Sequence, residues 1–244
     1  MRLKHKMIQV TALFKTFGTQ QVLKGIDLSI KPGELLVILG ESGSGKSVLL
    51  QHMIGLMAPD SGKVKIDGKD ITKLREKELL KVRKDMGYLF QDGALYDFMT
   101  VFENAAFPLR EHTEIKRKET IAKVKAMLKM VGLEGAEGKF PSQLSGGMKK
   151  RAALARAVIL GSKILFCDEP TSGLDPIKSR QIMDLIKDIA REIKCTTVVA
   201  SHDIANSLRI ADRLILIRNG QIMAQGKPED FRVSKDAYLQ EFFN

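Results

Sequence analysis

Alternating hydrophobic and polar positions predict short strands in the first third of the chain. Apolar residues at the required spacing predict strands at residues 8–13, 22–30 and 35–39, and a further strand and turn at residues 64–68. The third of these strands is apolar at every position, which is typical of a strand buried on both faces. A helix at residues 47–54 follows it.

The middle and the end of the chain predict a different arrangement. Residues 110–131 are highly charged but carry Ile121, Val124, Leu128 and Val131 at helical spacing, so they predict helix. Strands return at residues 164–167, 197–201 and 214–217, and a helix follows each of the first two; the last pairs with residues 221–224 across Asn219-Gly220. Strand–helix alternation predicts an α/β fold with a mostly parallel sheet, into which the helical middle is inserted.

Composition narrows the class of protein. With 244 residues, of which 44% are hydrophobic, the chain is long enough for one large α/β domain or two small lobes with a real core. No apolar run approaches the roughly 20 residues that span a bilayer, and no apolar signal sequence follows the charged residues 1–6. We therefore expect a cytosolic protein in which Cys167 and Cys195 are buried thiols and not a disulfide.

The net charge of +11 suits a nucleotide, a nucleic acid or an anionic membrane face. Lysine and arginine are dense at residues 73–84 and 110–129, where a solvated helical face is an equally good interpretation. The sequence has neither an aromatic-rich strand for base stacking nor a zinc pattern. Nucleic acid is therefore an unlikely partner.

The first candidate functional motif is a phosphate loop between the third predicted strand and the helix that follows it. It reads Gly40, Glu41, Ser42, Gly43, Ser44, Gly45, Lys46 and Ser47. Its glycines let successive N–H groups point at a phosphate, and the helix N-terminus adds partial positive charge. Lys46 would reach the β- and γ-phosphates, and the Ser47 hydroxyl would ligate Mg²⁺. A Gly-rich turn with a chance lysine is the alternative, but the strand before it and the helix after it favour nucleotide binding.

Two carboxylates end the apolar strand at residues 164–167. Asp168 can reach the Mg²⁺ shell, and Glu169 can polarise an attacking water as general base. Without a phosphate loop, Asp-Glu-Pro would simply end a strand. With one, the catalytic interpretation is favoured.

A third motif, Leu-Ser-Gly-Gly-Met at residues 144–148, precedes a predicted helix at residues 149–160. Ser145 is a good N-cap, and Gly146 and Gly147 leave their N–H groups accessible to an anion. The order of phosphate loop, Gln91, Leu-Ser-Gly-Gly, Asp-Glu, Ser-Gly-Leu-Asp at residues 172–175 and Ser-His-Asp at residues 201–203 resembles the nucleotide-binding subunit of ATP-binding-cassette (ABC) proteins. The resemblance covers residues 8–231.

The resemblance implies a fold and a composite site. The fold would be a P-loop NTPase of the ABC type: a single domain over residues 1–244, with a RecA-like core plus an antiparallel β subdomain at about 1–91 and 160–244, and an α-helical subdomain at about 92–159. ATP and Mg²⁺ would lie between two copies of the chain, with the phosphate loop of one facing the Leu-Ser-Gly-Gly of the other.

Individual roles follow from the same resemblance. Asp168, Ser47 and Gln91 would hold Mg²⁺, with Gln91 also sensing the transporter. Glu169 would activate water, His202 would contact the γ-phosphate, and Asp175 would lie at the dimer seam. Phe17 would stack on adenine, a role for which Phe14 competes.

Two stretches resemble the ATPase of Mla-type lipid transporters: residues 90–110 and the Lys/Arg/Ala-rich helix after Met148, which stands where the wider family commonly has Gln. This implies a cytoplasmic ATPase, peripheral on the inner membrane, that drives phospholipid transport through a separate permease docked at residues 92–110. A lipid-binding subunit would complete the complex. Alternatives are an ABC ATPase for another cargo (lipoprotein release, an amino acid or a metal), a non-transport ABC protein acting on nucleic acid or in cell division, and a nucleotide-kinase-like phosphotransferase, which would not explain the third motif or His202.

Overall fold

The computed structural model describes residues 7–234 and 236–243, so residues 1–6 lie outside the described part of the chain. The chain divides into two compact units. The first contains the described residues up to Leu80 and from Thr196 onward, and the second runs from Lys81 to Cys195. The strands are β1 Ile8–Phe17, β2 Gln20–Ile30, β3 Leu35–Leu39, β4 Ser61–Ile66, β5 Lys69–Asp70, β6 Met86–Leu89, β7 Ile164–Asp168, β8 Thr196–Ser201, β9 Arg213–Arg218 and β10 Gln221–Gly226; the helices are α1 Lys46–Met53, α2 Glu76–Arg83, α3 Val101–His112, α4 Arg117–Met130, α5 Gly146–Val158, α6 Pro176–Glu192, α7 Ile204–Ile210, α8 Pro228–Arg232 and α9 Ala237–Phe243.

The first unit contains an antiparallel sheet in the order β2-β1-β4-β5. β1 is longer than the predicted strand because an irregularity between Val10 and Leu13 lets pairing resume beyond it. Ala12 lies inside that irregularity with a φ of 44°. The predicted strand therefore covers only the part of β1 up to this irregularity and its last residue, Leu13.

The same unit also contains strands that pair in parallel, as the sequence predicted. β3 pairs in parallel with β8 on one side and with β9 on the other, and β10 is antiparallel to β9. Asn219 and Gly220 have φ values of 51° and 78°, as a two-residue hairpin turn of the I′ type requires. A Cβ at Gly220 would lie 2.3 Å from the Val22 carbonyl oxygen, so this turn needs glycine for space as well as for conformation. The predicted hairpin is confirmed.

The second unit pairs β6 in parallel with β7 and also contains α3, α4, α5 and α6; α5 packs against β6, and the other three helices pack against α5. The single helical segment predicted at residues 110–131 is two helices. α3 begins at a capping box formed by Thr100 and Glu103 and ends at Thr113, which is extended, and α4 begins at Arg117. Apolar periodicity does not register this break, because Leu109, Val124 and Leu128 are buried on both sides of it. The predicted helical subdomain at residues 92–159 falls within the second unit.

Within the described ranges, none of the helices has both the length and the apolar character needed to cross a bilayer. Cys167 and Cys195 are buried and do not form a disulfide, as the sequence predicted. Burial raises the pKa of Cys167 well above its usual range. This thiol is therefore inert and packs as an apolar side chain.

A buried histidine lies on α1, behind the phosphate loop. His52 is 1% exposed, and its Nδ1 lies 2.7 Å from the Val48 carbonyl oxygen, to which it donates. Its Nε2 is buried without a hydrogen-bond partner. Burial is the main cause that lowers the pKa of His52 below 6.5; the nearby Lys15 adds to the effect, and Asp60 with the carbonyls of Val48 and Ala58 opposes it.

We expect this histidine to make stability depend on pH. Since the folded-state pKa is lowered, the unfolded chain binds the proton more tightly, and the stabilisation is complete above pH 6.5 and is lost as the pH falls through the folded-state value. The melting temperature of the wild type should therefore fall more between pH 7.5 and 5.5 than that of His52→Gln, which keeps an N–H donor but does not titrate. Parallel melting curves for the two proteins would contradict this account.

Candidate functional site

The phosphate loop connects β3 to α1 in the way the sequence predicted. Gly45 is the N-cap of α1 and has a φ of 101°, a conformation that side chains rarely adopt. A Cβ there would lie 2.9 Å from Leu23 Cδ2, and one at Gly40 would lie 2.4 Å from the Ile217 carbonyl oxygen. The two glycines therefore let the backbone pass close to β2 and β9, which fixes the loop at the end of β3.

Two polar side chains of the loop are arranged for an anion. Lys46 is 5% exposed, and its ammonium donates to the carbonyl oxygens of Gly40 and Glu41 at 2.8 and 3.0 Å. The Ser44 hydroxyl is buried without a hydrogen-bond partner. A buried hydroxyl costs free energy until it finds a partner, and a phosphate oxygen held by the loop would supply one.

A cleft of about 470 Å³ opens beside the loop within the first unit. Residues of β2, of the loop and of the β9–β10 turn line it, among them Gln21, Lys24, Ser42 and Arg218. Phe17, at the end of β1, is 45% exposed, with the Lys15 ammonium 5.5 Å from its ring centroid. Phe17 is therefore exposed enough to stack on a base. The Phe14 ring instead packs over Gly25, where a Cβ would lie 2.9 Å from the ring.

The C-terminal helix also contacts the phosphate loop. The Tyr238 hydroxyl donates to Glu41 Oε1 at 3.1 Å, and the Arg218 guanidinium lies 3.7 Å from the Tyr238 ring centroid. Burial is the first cause that raises the pKa of Tyr238, followed by its hydrogen bond to Glu41. These contacts tie α9 to the mouth of the cleft.

His202 follows β8 directly and is exposed. Leu39 and Ser201 are register partners in the parallel pair β3–β8, so the phosphate loop and His202 leave neighbouring strands at the same edge of the sheet. Asp203 caps α7 by accepting from the Asn206 N–H at 3.1 Å, and its own N–H donates to Ser201 Oγ at 3.0 Å. The backbone around His202 is thereby held.

The predicted carboxylates lie in the second unit. Asp168 ends β7 and is 7% exposed; Glu169 is 9% exposed and has a φ of 44°. A non-glycine residue in this conformation is strained, and such strain is frequent at functional sites. The Tyr88 hydroxyl donates to Asp168 Oδ2 at 3.2 Å. Burial, with the charge of Asp168 next, raises the pKa of Tyr88, so the phenol keeps its proton.

Gln91 follows β6, the strand next to β7, so it and the two carboxylates leave one edge of this strand pair. The Gln91 side-chain Nε2 lies 3.4 Å from Ser172 Oγ. The main-chain carbonyl oxygen of Gln91 accepts from the Lys150 ammonium. Lys150 is 6% exposed. Burial lowers its pKa, while Asp92, Glu169 and Asp168 act in the opposite direction. A buried cation on α5 therefore faces the carboxylates and holds the Gln91 loop.

Arg156, two turns further along α5, holds the same loop. Its guanidinium donates to the carbonyl oxygens of Ala94 at 2.6 Å and Gly93 at 2.8 Å, and lies 5.8 Å from the Tyr96 ring centroid. Burial lowers the pKa of Arg156. Through Lys150 and Arg156, α5 fixes Gln91 and the segment that follows it.

The third motif forms the start of α5, three residues earlier than the sequence predicted. Ser145 is the N-cap and accepts from the Met148 N–H at 3.4 Å. A Cβ at Gly146 would lie 3.2 Å from Leu174 Cδ2, and one at Gly147 would lie 3.7 Å from Lys178 Cδ. Gly146 therefore lets Leu174, in the segment that leads into α6, approach the motif closely, whereas the distance at Gly147 is an ordinary contact.

Asp175 caps α6 by accepting from the Lys178 N–H at 2.9 Å, and its other carboxylate oxygen lies 2.7 Å from Lys178 Nζ. These bonds to Lys178 lower the pKa of Asp175. The expected residue of the dimer seam is thus also a helix cap in the isolated chain.

Three residues of this site were not foreseen as functional: Tyr88, Lys150 and Arg156. Their partners lie 80, 59 and about 62 residues away in sequence, and hydrophobic periodicity carries no information on such pairs. The available signals were a tyrosine three residues before Gln91 in a short buried strand, and two basic residues on the buried side of α5.

The fold and the site together define an ATP-binding cassette. The ABC transporter family matches residues 23–172, and the chain belongs to this family. It is accordingly an ATPase of the P-loop type that binds ATP or ADP.

Among its relatives is the probable ribonucleotide transport ATP-binding protein mkl of Mycobacterium tuberculosis, 42% identical over 97% of this chain and 66% of that protein. The intermembrane phospholipid transport system ATP-binding protein MlaF of Haemophilus influenzae is 39% identical over 98% of this chain and 91% of the relative. Among solved structures, a dimer of the cassette MJ0796 bound to ADP and phosphate has a TM-score of 0.84 at 34% identity, covering 91% of this chain and 99% of the other.

Proposed function

We propose that this chain is the ATP-hydrolysing subunit of an ABC transporter that moves phospholipid through a separate permease. The observation that carries this proposal is the likeness to MlaF over 91% of that protein's length. Residues 90–110, and the third motif with Met148 at its end, resemble the same subfamily. In this proposal the protein lies on the cytoplasmic face of the inner membrane and works with a lipid-binding subunit.

The donor set suits a magnesium nucleotide. The Ser47 hydroxyl, the Gln91 amide oxygen and the Asp168 carboxylate are hard oxygen ligands of the kind Mg²⁺ prefers. When bound, the metal would neutralise phosphate charge. Lys46 and the Ser44 hydroxyl hold phosphate oxygens, Phe17 stacks on the adenine, Glu169 takes a proton from the attacking water, and His202 holds the γ-phosphate.

A second copy of the chain would complete this site. The N–H groups at the start of α5, at Gly146 and Gly147, are those of a helix N-terminus and suit the phosphates of a nucleotide bound to the partner copy. Leu174, the residue before Asp175, lies against this motif, because its Cδ2 approaches the position that a Cβ would take at Gly146. The dimeric state of the similar cassette MJ0796 supports the same arrangement.

Residues 92–110 supply the surface on which we propose that the permease docks. Phe98 is 75% exposed, and its ring centroid lies 5.7 Å from that of Tyr96, which in turn lies 5.0 Å from Phe107. Arg156 anchors this segment to α5, and Lys150 anchors the preceding Gln91 to the same helix, so α5 links the proposed docking surface to Gln91.

We expect Phe98→Asp to separate docking from hydrolysis. An exposed aromatic that fills a partner's pocket commonly contributes about 2 kcal/mol or more to binding, so permease recovery should fall roughly 30-fold. ATP turnover of the isolated subunit should stay within about twofold, because surface changes have small effects on the fold. Val233→Asp is the matched control, since Val233 is 77% exposed and lies in the other unit. Undiminished recovery of the permease with Phe98→Asp would exclude this docking surface.

A second candidate keeps the ATPase and changes the cargo. The mkl relative has the higher identity, 42%, and is named a probable ribonucleotide transport protein, while a MetN relative at 39% is named a methionine import protein. The catalytic assignments are the same in both cases, because the permease selects the cargo.

Purification of the tagged chain from native membranes distinguishes these candidates. Recovery of a multi-span permease with a lipid-transfer subunit and bound phospholipid is the expected result. A permease with another cargo would support the second candidate. Recovery of nucleic acid or ribosomes without a membrane protein would contradict both.

A further inference from the structure

One contact near the candidate site joins a residue without an assigned role to a predicted metal ligand. Tyr88 lies in β6, where it is the register partner of Phe166 in β7. Its hydroxyl donates to Asp168 Oδ2 at 3.2 Å. Asp168 is 7% exposed, so its carboxylate depends on protein donors in the absence of a nucleotide.

The ring of Tyr88 has a fixed position. Its centroid lies 4.4 Å from that of Phe90 and 6.4 Å from that of Phe166, with interplanar angles of 45° and 35°. β6 and β7 are hydrogen-bonded in parallel, so the backbone on both sides of the contact is also fixed. A donor held in this way selects one orientation of the Asp168 carboxylate.

The orientation decides which oxygen is presented to a ligand. Since Oδ2 accepts the hydrogen bond from Tyr88, Oδ1 is the carboxylate oxygen that faces away from Tyr88. The charge of the same carboxylate acts to raise the pKa of the buried Lys150 on α5, against the effect of burial. A hydrogen-bonded carboxylate that cannot rotate binds a metal with less loss of conformational freedom, and partners of this kind commonly contribute to metal affinity.

We propose that Tyr88 is a positioning residue that fixes the Asp168 carboxylate so that Oδ1 is presented to the Mg²⁺ of a bound nucleotide. This inference rests on the proposed metal role of Asp168. Tyr88 acts through Asp168 and does not contact the nucleotide. In this account its hydroxyl does more than satisfy a buried carboxylate.

Tyr88→Phe is the direct test, because it removes the hydroxyl and keeps the ring. The probe is Mn²⁺ in place of Mg²⁺, titrated into the protein saturated with a non-hydrolysable ATP analogue and followed by electron paramagnetic resonance. We expect Mn²⁺ affinity to fall about tenfold or more, as for other residues that orient a metal ligand. Binding of the analogue in EDTA should be unchanged.

The kinetic readout separates positioning from a general structural defect. The Mg²⁺ concentration needed for half-maximal ATP hydrolysis should rise about tenfold in Tyr88→Phe, while kcat at saturating Mg²⁺ returns to within about twofold of the wild type. Ser162→Ala is the matched control, since it removes another buried hydroxyl of the same unit, one that donates to the Ala157 carbonyl oxygen. Tyr88→Met, which also lacks the donor but fills the space flexibly, serves if the phenylalanine variant is poorly folded.

The outcomes distinguish this inference from the proposed function. If Tyr88→Phe binds Mn²⁺ as tightly as the wild type while Asp168→Asn binds it weakly, the positioning role is overturned and the metal role of Asp168 stands. If Asp168→Asn also binds Mn²⁺ normally, the metal role of Asp168 itself is wrong. A kcat that stays low at saturating Mg²⁺ would likewise overturn the positioning role.

Discussion

Glu169→Gln is expected to lower ATP turnover by at least about a hundredfold, since a positioned general base commonly contributes 10²–10⁴ to the rate. Glutamine has the same shape but cannot accept the proton of the attacking water. Glu169 is 9% exposed and precedes the turn in which the Ser172 N–H donates to its carbonyl oxygen at 3.1 Å, so the substitution leaves the backbone contacts in place.

The same variant should accumulate as a dimer with ATP trapped between the copies, because binding is retained and hydrolysis is blocked. Phosphate release gives the rate, and light scattering with and without ATP gives the mass. Glu134→Gln, at an exposed position, is the matched control and should behave as the wild type. Normal turnover in Glu169→Gln would remove Glu169 as the base.

Lys46→Ala is expected to weaken ATP binding by roughly 30-fold or more, because loss of one member of a buried charged contact commonly costs about 2–5 kcal/mol. The ammonium donates to the Gly40 and Glu41 carbonyl oxygens, so the variant loses both the phosphate contact and a support of the loop. Alanine is a good residue for the first turn of α1, and the helix should persist.

Calorimetric titration with ATP measures this loss, and a thermal melt establishes that the variant is folded. Lys118→Ala, an exposed lysine on α4, controls for the change in net charge. Equal ATP affinity in Lys46→Ala and the wild type would count against the phosphate loop as the nucleotide site.

The fold could largely be predicted because its strands are short, apolar and bounded by turn residues. The β9–β10 hairpin required nothing beyond Asn219-Gly220 between two apolar runs. The phosphate loop was identifiable because a strand, a glycine-rich loop and a helix occur in the only order in which that loop works. In these cases local sequence and tertiary structure favour the same conformation.

The remainder depended on contacts between residues distant in sequence. The break between α3 and α4 lies where Thr113 turns extended and its hydroxyl donates to the Leu109 carbonyl oxygen at 2.6 Å, a local bond that leaves the apolar spacing intact. The sequence assigned no individual role to Lys150, and only packing shows that it is buried against the main-chain carbonyl of Gln91. Tyr88 lies in β6, a strand that the sequence did not predict, and its contact with Asp168 exists only because β6 pairs with β7.

Phospholipid transport by the reconstituted complex tests the central claim most directly. The chain, co-purified with its permease, is placed in liposomes that carry a fluorescent phospholipid, and transfer to acceptor protein or vesicles is followed with ATP. The account predicts transfer that requires ATP and disappears in a complex carrying Glu169→Gln. ATP hydrolysis without any movement of phospholipid, in a complex that instead moves a nucleotide or an amino acid, would contradict it.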